Sequence, residues 1–328
     1  MLSYRAILKQ SWRISWKYKF LWFFGFFASL ISFTAEFKII ARSINQESGI
    51  RSLNNIKMFL NTGVFSKDAW LNILGMLKTD PKSILMLFLV LIIILAIIIF
   101  FAWLSTASQI GIINSVDKII KNKKDKLNIK SALKRSHRKF WPVFIMNLVM
   151  SIIINLIYIL ISFLLVLVII KNQALSSLIY GFIFIIFIPI SLFISFIIKY
   201  AIASMVIENK KFFPALQQGW KLFFNNWLIS IEVAIILFFI NVLVLILLSV
   251  ISFIGFFLFF SLALSTIFVL SSGFLFWLVL IIGFLLILAI MILGGSLLNV
   301  FQISSWTDLF IRIREGGASS KIERIFQD

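Results

Sequence analysis

Six stretches of this chain are too long and too apolar to form the core of a soluble domain. They fall near residues 20–40, 84–108, 141–170, 178–203, 228–252 and 274–300. Each has about 20 residues or more with few charges, the length an α-helix needs to cross bilayer hydrocarbon. In that medium every backbone amide and carbonyl must find its partner within the segment, so a single run can cross only as a helix. Composition agrees: of 328 residues, 62% are hydrophobic and 13% charged, where globular chains run nearer half and a quarter. The expected fold class is all-α: a polytopic integral membrane protein with six transmembrane helices in a single membrane domain. The uncharged core of the first run, 20–35, is long for a signal peptide and no small-x-small site follows it, so it is read as a retained span.

Charge orients the spans. The net charge is +19, and much of it lies in two places. Arg5, Lys9, Arg13, Lys17 and Lys19 precede the first run without an acid. Lys118, Lys121, Lys123, Lys124, Lys126, Lys130, Lys134, Arg135, Arg138 and Lys139 join the second run to the third. Loops rich in Lys and Arg beside a span stay on the cytoplasmic side. Both termini and the tail 309–328 are therefore expected inside a bacterial-type cytoplasmic membrane. The loop 41–82 and the turn Lys171-Asn172-Gln173 are expected outside. The ten cations of the 118–139 stretch are candidate contacts for anionic lipid headgroups on the inner leaflet; nucleic acid is not an expected partner. Trp12, Trp16, Trp22, Trp103, Trp141, Trp220, Trp227 and Trp306 all fall at the proposed inner interface, where indole rings prefer to sit.

Two segments need separate readings. Residues 253–272 are apolar enough for a seventh span, but a seventh span would carry Arg312, Arg314, Lys321 and Arg324 outside. An outer connection, helical or interfacial, satisfies the charge rule better. In the outer loop, "SKDAWLNILGMLK" places Trp70, Ile73, Leu74 and Leu77 on one helical face, and Asp80-Pro81 marks a helix start.

Three similar stretches each precede an odd-numbered span: "AILKQSWRISW" from Ala6, "ALKRSHRKFW" from Ala132 and "ALQQGWKLFFNNW" from Ala215. In the third, Ala215, Leu216, Gly219, Trp220, Phe223, Phe224 and Trp227 form one helical stripe. In the first the stripe is Ile7, Leu8, Trp12 and Trp16; in the second it is Ile129, Ala132, Leu133, Phe140 and Trp141. An apolar stripe with a basic back suits the headgroup boundary. Trp12, Trp16, His137, Trp141, Trp220 and Trp227 are thus candidate residues of interfacial elbows, with Pro142 bending the second. The expected unit is an interfacial amphipathic helix plus a transmembrane hairpin, used three times over about 3–117, 128–208 and 214–308.

"IASMVIENKKFFPALQQGWKLFFNNW" resembles the region joining the fourth and fifth spans in the membrane domain attached to some bacterial glycerophosphoryl diester phosphodiesterases. Related uncharacterised six-helix bacterial membrane proteins share it. Glu208, Ala215, Leu216, Gly219, Trp220 and Trp227 carry the likeness, joined by Trp306, Asp308 and Arg312 in "SSWTDLFIRIREG". His137 departs from it, standing where the other copies have Trp. The resemblance implies a fold and a membrane location. It transfers no catalytic residue, because no separate phosphodiesterase domain is present.

Chemistry-bearing patterns are sparse. There is no cysteine and one histidine, His137, so thiolate and multi-histidine metal sites are excluded. No paired inward carboxylates, nucleophile elbow or phosphate-binding glycine loop occurs. Neither a metal nor another cofactor is expected. Asp117, Glu208 and Asp308 each follow an even-numbered span and are expected to cap helices or pair with nearby lysines. Gly25-x-x-x-Ser29 and Gly294-Gly295 read as close-packing points, and Asn147, Asn155, Asn241, Asn299 and Gln302 as interhelical hydrogen-bonders. Charge inside a span is the sharper signal. Lys199 and Glu232 reach similar depth from opposite directions and form a candidate intramembrane polar pair. The expected function is a non-enzymatic module that organises lipid or a membrane-protein partner; the alternative is a carrier for a small or lipidic substrate.

Overall fold

The computed structural model describes residues 4–32, 71, 81–121, 129–169 and 173–316. These are about 95% helical and contain no strand. The loop 41–82, with its Trp70 face, lies outside them apart from Leu71, Pro81 and Lys82. Eight helices occur among the described residues: α1 (Tyr4–Lys17), α2 (Phe20–Ser32), α3 (Pro81–Ile120), α4 (Ile129–Ile169), α5 (Gln173–Glu208), α6 (Phe212–Asn225), α7 (Trp227–Leu270) and α8 (Gly273–Arg314). Five of them, α3, α4, α5, α7 and α8, are long and apolar enough to cross a membrane, and α2 is a shorter apolar helix. α3 starts at Pro81, as Asp80-Pro81 signals.

The chain forms two compact units. One comprises Met1–Ile31, Leu104–Val143 and Lys199–Asp328; the other comprises Ser32–Trp103 and Phe144–Ile198. In the second, residues 85–101 expose every side chain, although they are Ile, Leu, Val, Met, Phe and one Ala.

The first unit has an apolar core of Ile14, Leu21, Phe24, Ala28, Ile112, Val116, Ala132 and Val300. Beside it runs a population of buried hydroxyls: Ser11, Ser15, Ser115, Ser136, Ser305 and Thr307. Most bond backward to their own helix: Ser15 to Ser11 O, Ser115 to Gly111 O, Ser136 to Ala132 O, Ser305 to Phe301 O and Thr307 to Ile303 O, at 2.7–2.9 Å. A hydroxyl satisfied this way leaves a small, smooth surface against which a neighbouring helix packs closely. One close approach is between α2 and α8. A Cβ on Gly25 would lie 2.4 Å from the Ser296 carbonyl oxygen. Asn299 Nδ2 donates to Gly25 O at 2.8 Å, and Ser296 Oγ donates to Trp22 O.

α7 and α8 form an antiparallel hairpin. Their 44 and 42 residues make each about 65 Å long, roughly twice the hydrocarbon thickness. The turn is Ser271-Ser272. Ser271 takes the left-handed conformation (φ 47°), and its amide donates to Ile267 O at 3.0 Å. Ser272 Oγ accepts from Leu275 N at 3.4 Å and caps α8. Residues 253–270 are thus the continuous distal part of α7, paired with α8. Phe259 packs over Gly283, where a Cβ would lie 2.3 Å from its ring.

The three opening stretches do not fold alike. The first and third are separate helices that end in a tight corner. Tyr18-Lys19 separates α1 from α2, and Trp22 Nε1 pins the corner by donating to Ser15 O at 2.8 Å. Asn226 separates α6 from α7, with its side chain donating to Leu222 O at 3.1 Å. The second stretch is not a separate helix: His137, Trp141 and Pro142 lie within the unbroken α4. Proline's φ of about −65° fits a helix and its missing amide costs one bond. α4 runs on through Pro142 and through Asn147 and Ser151 beyond it.

Candidate functional site

α1 and α6 each divide their stripe between two neighbours. On α1 the buried face is Ile7, Ser11, Ile14 and Ser15. Trp12 and Trp16 are instead half-exposed, between the exposed side chains of Lys9, Arg13 and Lys17. Trp12 meets Phe301 edge-on at 5.9 Å, and Trp16 meets Trp22 at 5.8 Å. On α6, Ala215, Gly219 and Phe223 are buried, while Phe213, Trp220 and Phe224 are exposed. Trp220 and Phe224 lie 4.6 Å apart, and the exposed Trp227 continues their edge onto α7. Lys210, Lys211 and Lys221 flank this surface and are exposed. The expected stripe of Ile7, Leu8, Trp12 and Trp16 is therefore displaced: the small serines face the protein and the indoles face out.

Of the ten cations between the second and third runs, Lys123, Lys124 and Lys126 lie outside the described residues. Lys118 is half-buried in the last turn of α3. Lys121 pairs with Asp117 one turn away. Lys130, His137 and Arg138 are exposed on α4, which also carries Lys134 and Arg135. Lys139 turns inward: its ammonium donates to Val206 O in the last turn of α5. A cation there complements the free carbonyls and the negative end of the helix dipole.

Lys199 on α5 is half-buried, with Nζ 4.4 Å above the centre of the Trp306 ring of α8. This cation–π contact partly replaces lost hydration. One residue on, Tyr200 Oη and Ser230 Oγ share a 2.6 Å hydrogen bond that ties α5 to α7. Glu232 is half-buried two residues past Ser230.

Two polar networks join the separate helices α1 and α6 to the long ones. In the first, Asp308 is fully buried and accepts from Arg312 Nε at 2.8 Å, while Arg312 donates to Gln10 of α1. In the second, Glu208 pairs with Arg314 Nε at 2.8 Å and Lys210 Nζ at 3.1 Å. It also accepts from Gln218 Nε2 at 3.3 Å, and Gln218 accepts in turn from Ser204. So Asp117, Glu208 and Asp308 all pair with cations, two of them with arginines rather than lysines alone. The i,i+4 spacing of Asp308 and Arg312 was legible as a helical pair. Gln10 and Gln218 offered no signal, since each looks like an ordinary polar residue on the back of an amphipathic helix. Asn155 donates to Ser151 O in its own helix at 2.8 Å, and Asn299 bridges helices. Among the described residues, no group of three or more His, Cys, Asp or Glu could hold a metal ion.

Comparison with family profiles, with curated proteins and with solved structures found no match. The helices define the class: a multi-pass membrane protein by length and apolar character.

Proposed function

We propose that this is a non-enzymatic integral membrane protein of a bacterial-type cytoplasmic membrane that organises anionic lipid, or a membrane-protein partner, on its inner side. In this reading α2, α3, α4, α5, α7 and α8 are six spans with both termini inside. They follow the plan of the phosphodiesterase-associated membrane domain that the Glu208 to Trp227 region resembles. The observation that carries it is the split surface of α1 and α6. One edge is packed on the protein; the other presents Trp12 and Trp16, or Phe213, Trp220 and Phe224, beside lysines and arginines. Indoles next to basic side chains suit the headgroup level of an anionic leaflet.

Single-tryptophan variants in vesicles containing brominated lipids test this reading. Trp16 and Trp220 should be quenched by bromines near the headgroup, and Trp306, under Lys199, should be protected. Absence of quenching of Trp16 and Trp220 at every bromine depth would sink the reading. Reporter fusions at Asp328 and beside Asn172 should read inside and outside; an external C-terminus would end the six-span topology.

A second reading, a carrier for a small or lipidic substrate, is favoured by the half-buried Lys199 and Glu232 in apolar helices, since charge at such depth marks function by default. In this reading Lys199 and Glu232 act as a pair, with Lys199 also over the Trp306 ring. Uptake in proteoliposomes, lost in Lys199→Gln and in Glu232→Gln, separates this reading from the first.

A further inference from the structure

We propose that Lys210 and Arg314 bind the phosphate of an anionic phospholipid headgroup, held ready by Glu208; the site rests on the membrane-surface reading above. Glu208 ends α5, and its side chain is only 9% exposed. Its carboxylate is already occupied: Oε1 accepts from Arg314 Nε and Gln218 Nε2, and Oε2 faces Lys210 Nζ. One negative charge therefore meets two positive ones. The excess positive charge is on the accessible side, because the Arg314 and Lys210 side chains are 51% and 40% exposed.

The donor geometry favours a phosphate. Arg314 is held through Nε, which leaves its Nη groups to point elsewhere, and the lysine ammonium has donors beyond the one directed at Oε2. Both cations touch the same carboxylate, so one tetrahedral oxyanion can span them. A carboxylate behind a guanidinium also fixes its plane before the ligand arrives, which lowers the ordering cost of binding. The source of the phosphate is a lipid, because an apolar surface adjoins the cationic one. Lys211 is exposed, and Phe213 on the first turn of α6 is 78% exposed. A soluble anion has no use for such a surface, whereas a headgroup brings acyl chains to cover it.

The test titrates the purified full-length protein in neutral detergent with phosphatidylglycerol, phosphatidylcholine or inorganic phosphate, and counts bound lipid by native mass spectrometry. Wild type should prefer phosphatidylglycerol. Each cation removed should weaken that binding about fivefold, so Lys210→Gln/Arg314→Gln should lose roughly twenty-five-fold. Lys82→Gln, an exposed cation in the first turn of α3, should change it by less than about twofold. Arg314→Lys retains the charge and guards against a misfolded double variant; its affinity should fall between wild type and the double variant. Wild-type affinity in both Arg314→Lys and the double variant would overturn the site. So would competition by inorganic phosphate at concentrations equal to the lipid. Either result with Trp16 and Trp220 still quenched at the headgroup removes this site alone; loss of the quenching removes the membrane-surface reading beneath it.

Discussion

The two ends of α8 share one helix and differ in almost every other respect. Within residues 273–295 just Gly283 is buried, and Phe274 is 75% exposed. Residues 296–313 bury Ser296, Asn299, Ser304, Ser305, Thr307 and Asp308 among Val300, Phe301, Leu309 and Phe310. The polar end is the buried end. A soluble domain does the reverse, because there water draws polar groups outward and drives apolar ones in. Beside hydrocarbon the preference inverts: apolar side chains gain nothing by leaving lipid, and polar groups must find partners within the protein. Ser296 and Asn299 find theirs on α2, and Asp308 finds Arg312.

The largest effect should come from the charged pair in the buried end. Asp308→Ala leaves Arg312, 13% exposed, without its carboxylate. The cost should be about 3–5 kcal/mol, read as loss of folded protein in lipid nanodiscs. An effect under about 1 kcal/mol would mean that water reaches this end freely.

The exposed end is broken from the other side. Phe284→Lys should oppose membrane insertion by about 2.5–3.5 kcal/mol if its surroundings are hydrocarbon. Phe284→Leu should leave insertion unchanged. Equal insertion of the Lys and Leu variants would place the distal hairpin in water and remove the contrast.

Close packing supplies a smaller, sharper test. Gly25→Ala puts a methyl against the Ser296 carbonyl and should cost about 1–3 kcal/mol. Gly295→Ala meets nothing within 4 Å and should be neutral or slightly stabilising. Thermal unfolding of both in the same nanodisc makes the comparison.

Asn299→Ala should cost least, about 0.6–1.7 kcal/mol, the range for hydrogen bonds between membrane helices. A double-mutant cycle with Ser296→Ala would show whether the two bonds to α2 act together. Additive losses would mean that they do not.

Hydropathy and helical spacing by themselves determined that the chain is helical and membrane-spanning, that Gly25 is a packing point, and that Asp308 lies one turn from Arg312. These are local properties: backbone satisfaction in hydrocarbon forces helices wherever charge is absent, and a period of 3.6 places neighbours on one face. Which face meets protein was decided only by tertiary structure. Trp16 and Ser15 are adjacent on α1, yet the serine is buried and the indole is out. Hydrophobicity cannot separate a lipid neighbour from a protein one, because both are apolar; small size and hydroxyls bonded to their own helix made the difference. The opening stretches of α1, α4 and α6 read alike, but a corner forms only where Tyr18-Lys19 or Asn226 halts the helix. Residues 253–270 left several topologies open until Ser271 turned the chain and set α7 against α8. The pairing of Glu208 with Arg314 lies furthest from the sequence, since it joins the ends of two helices that only the folded bundle brings together.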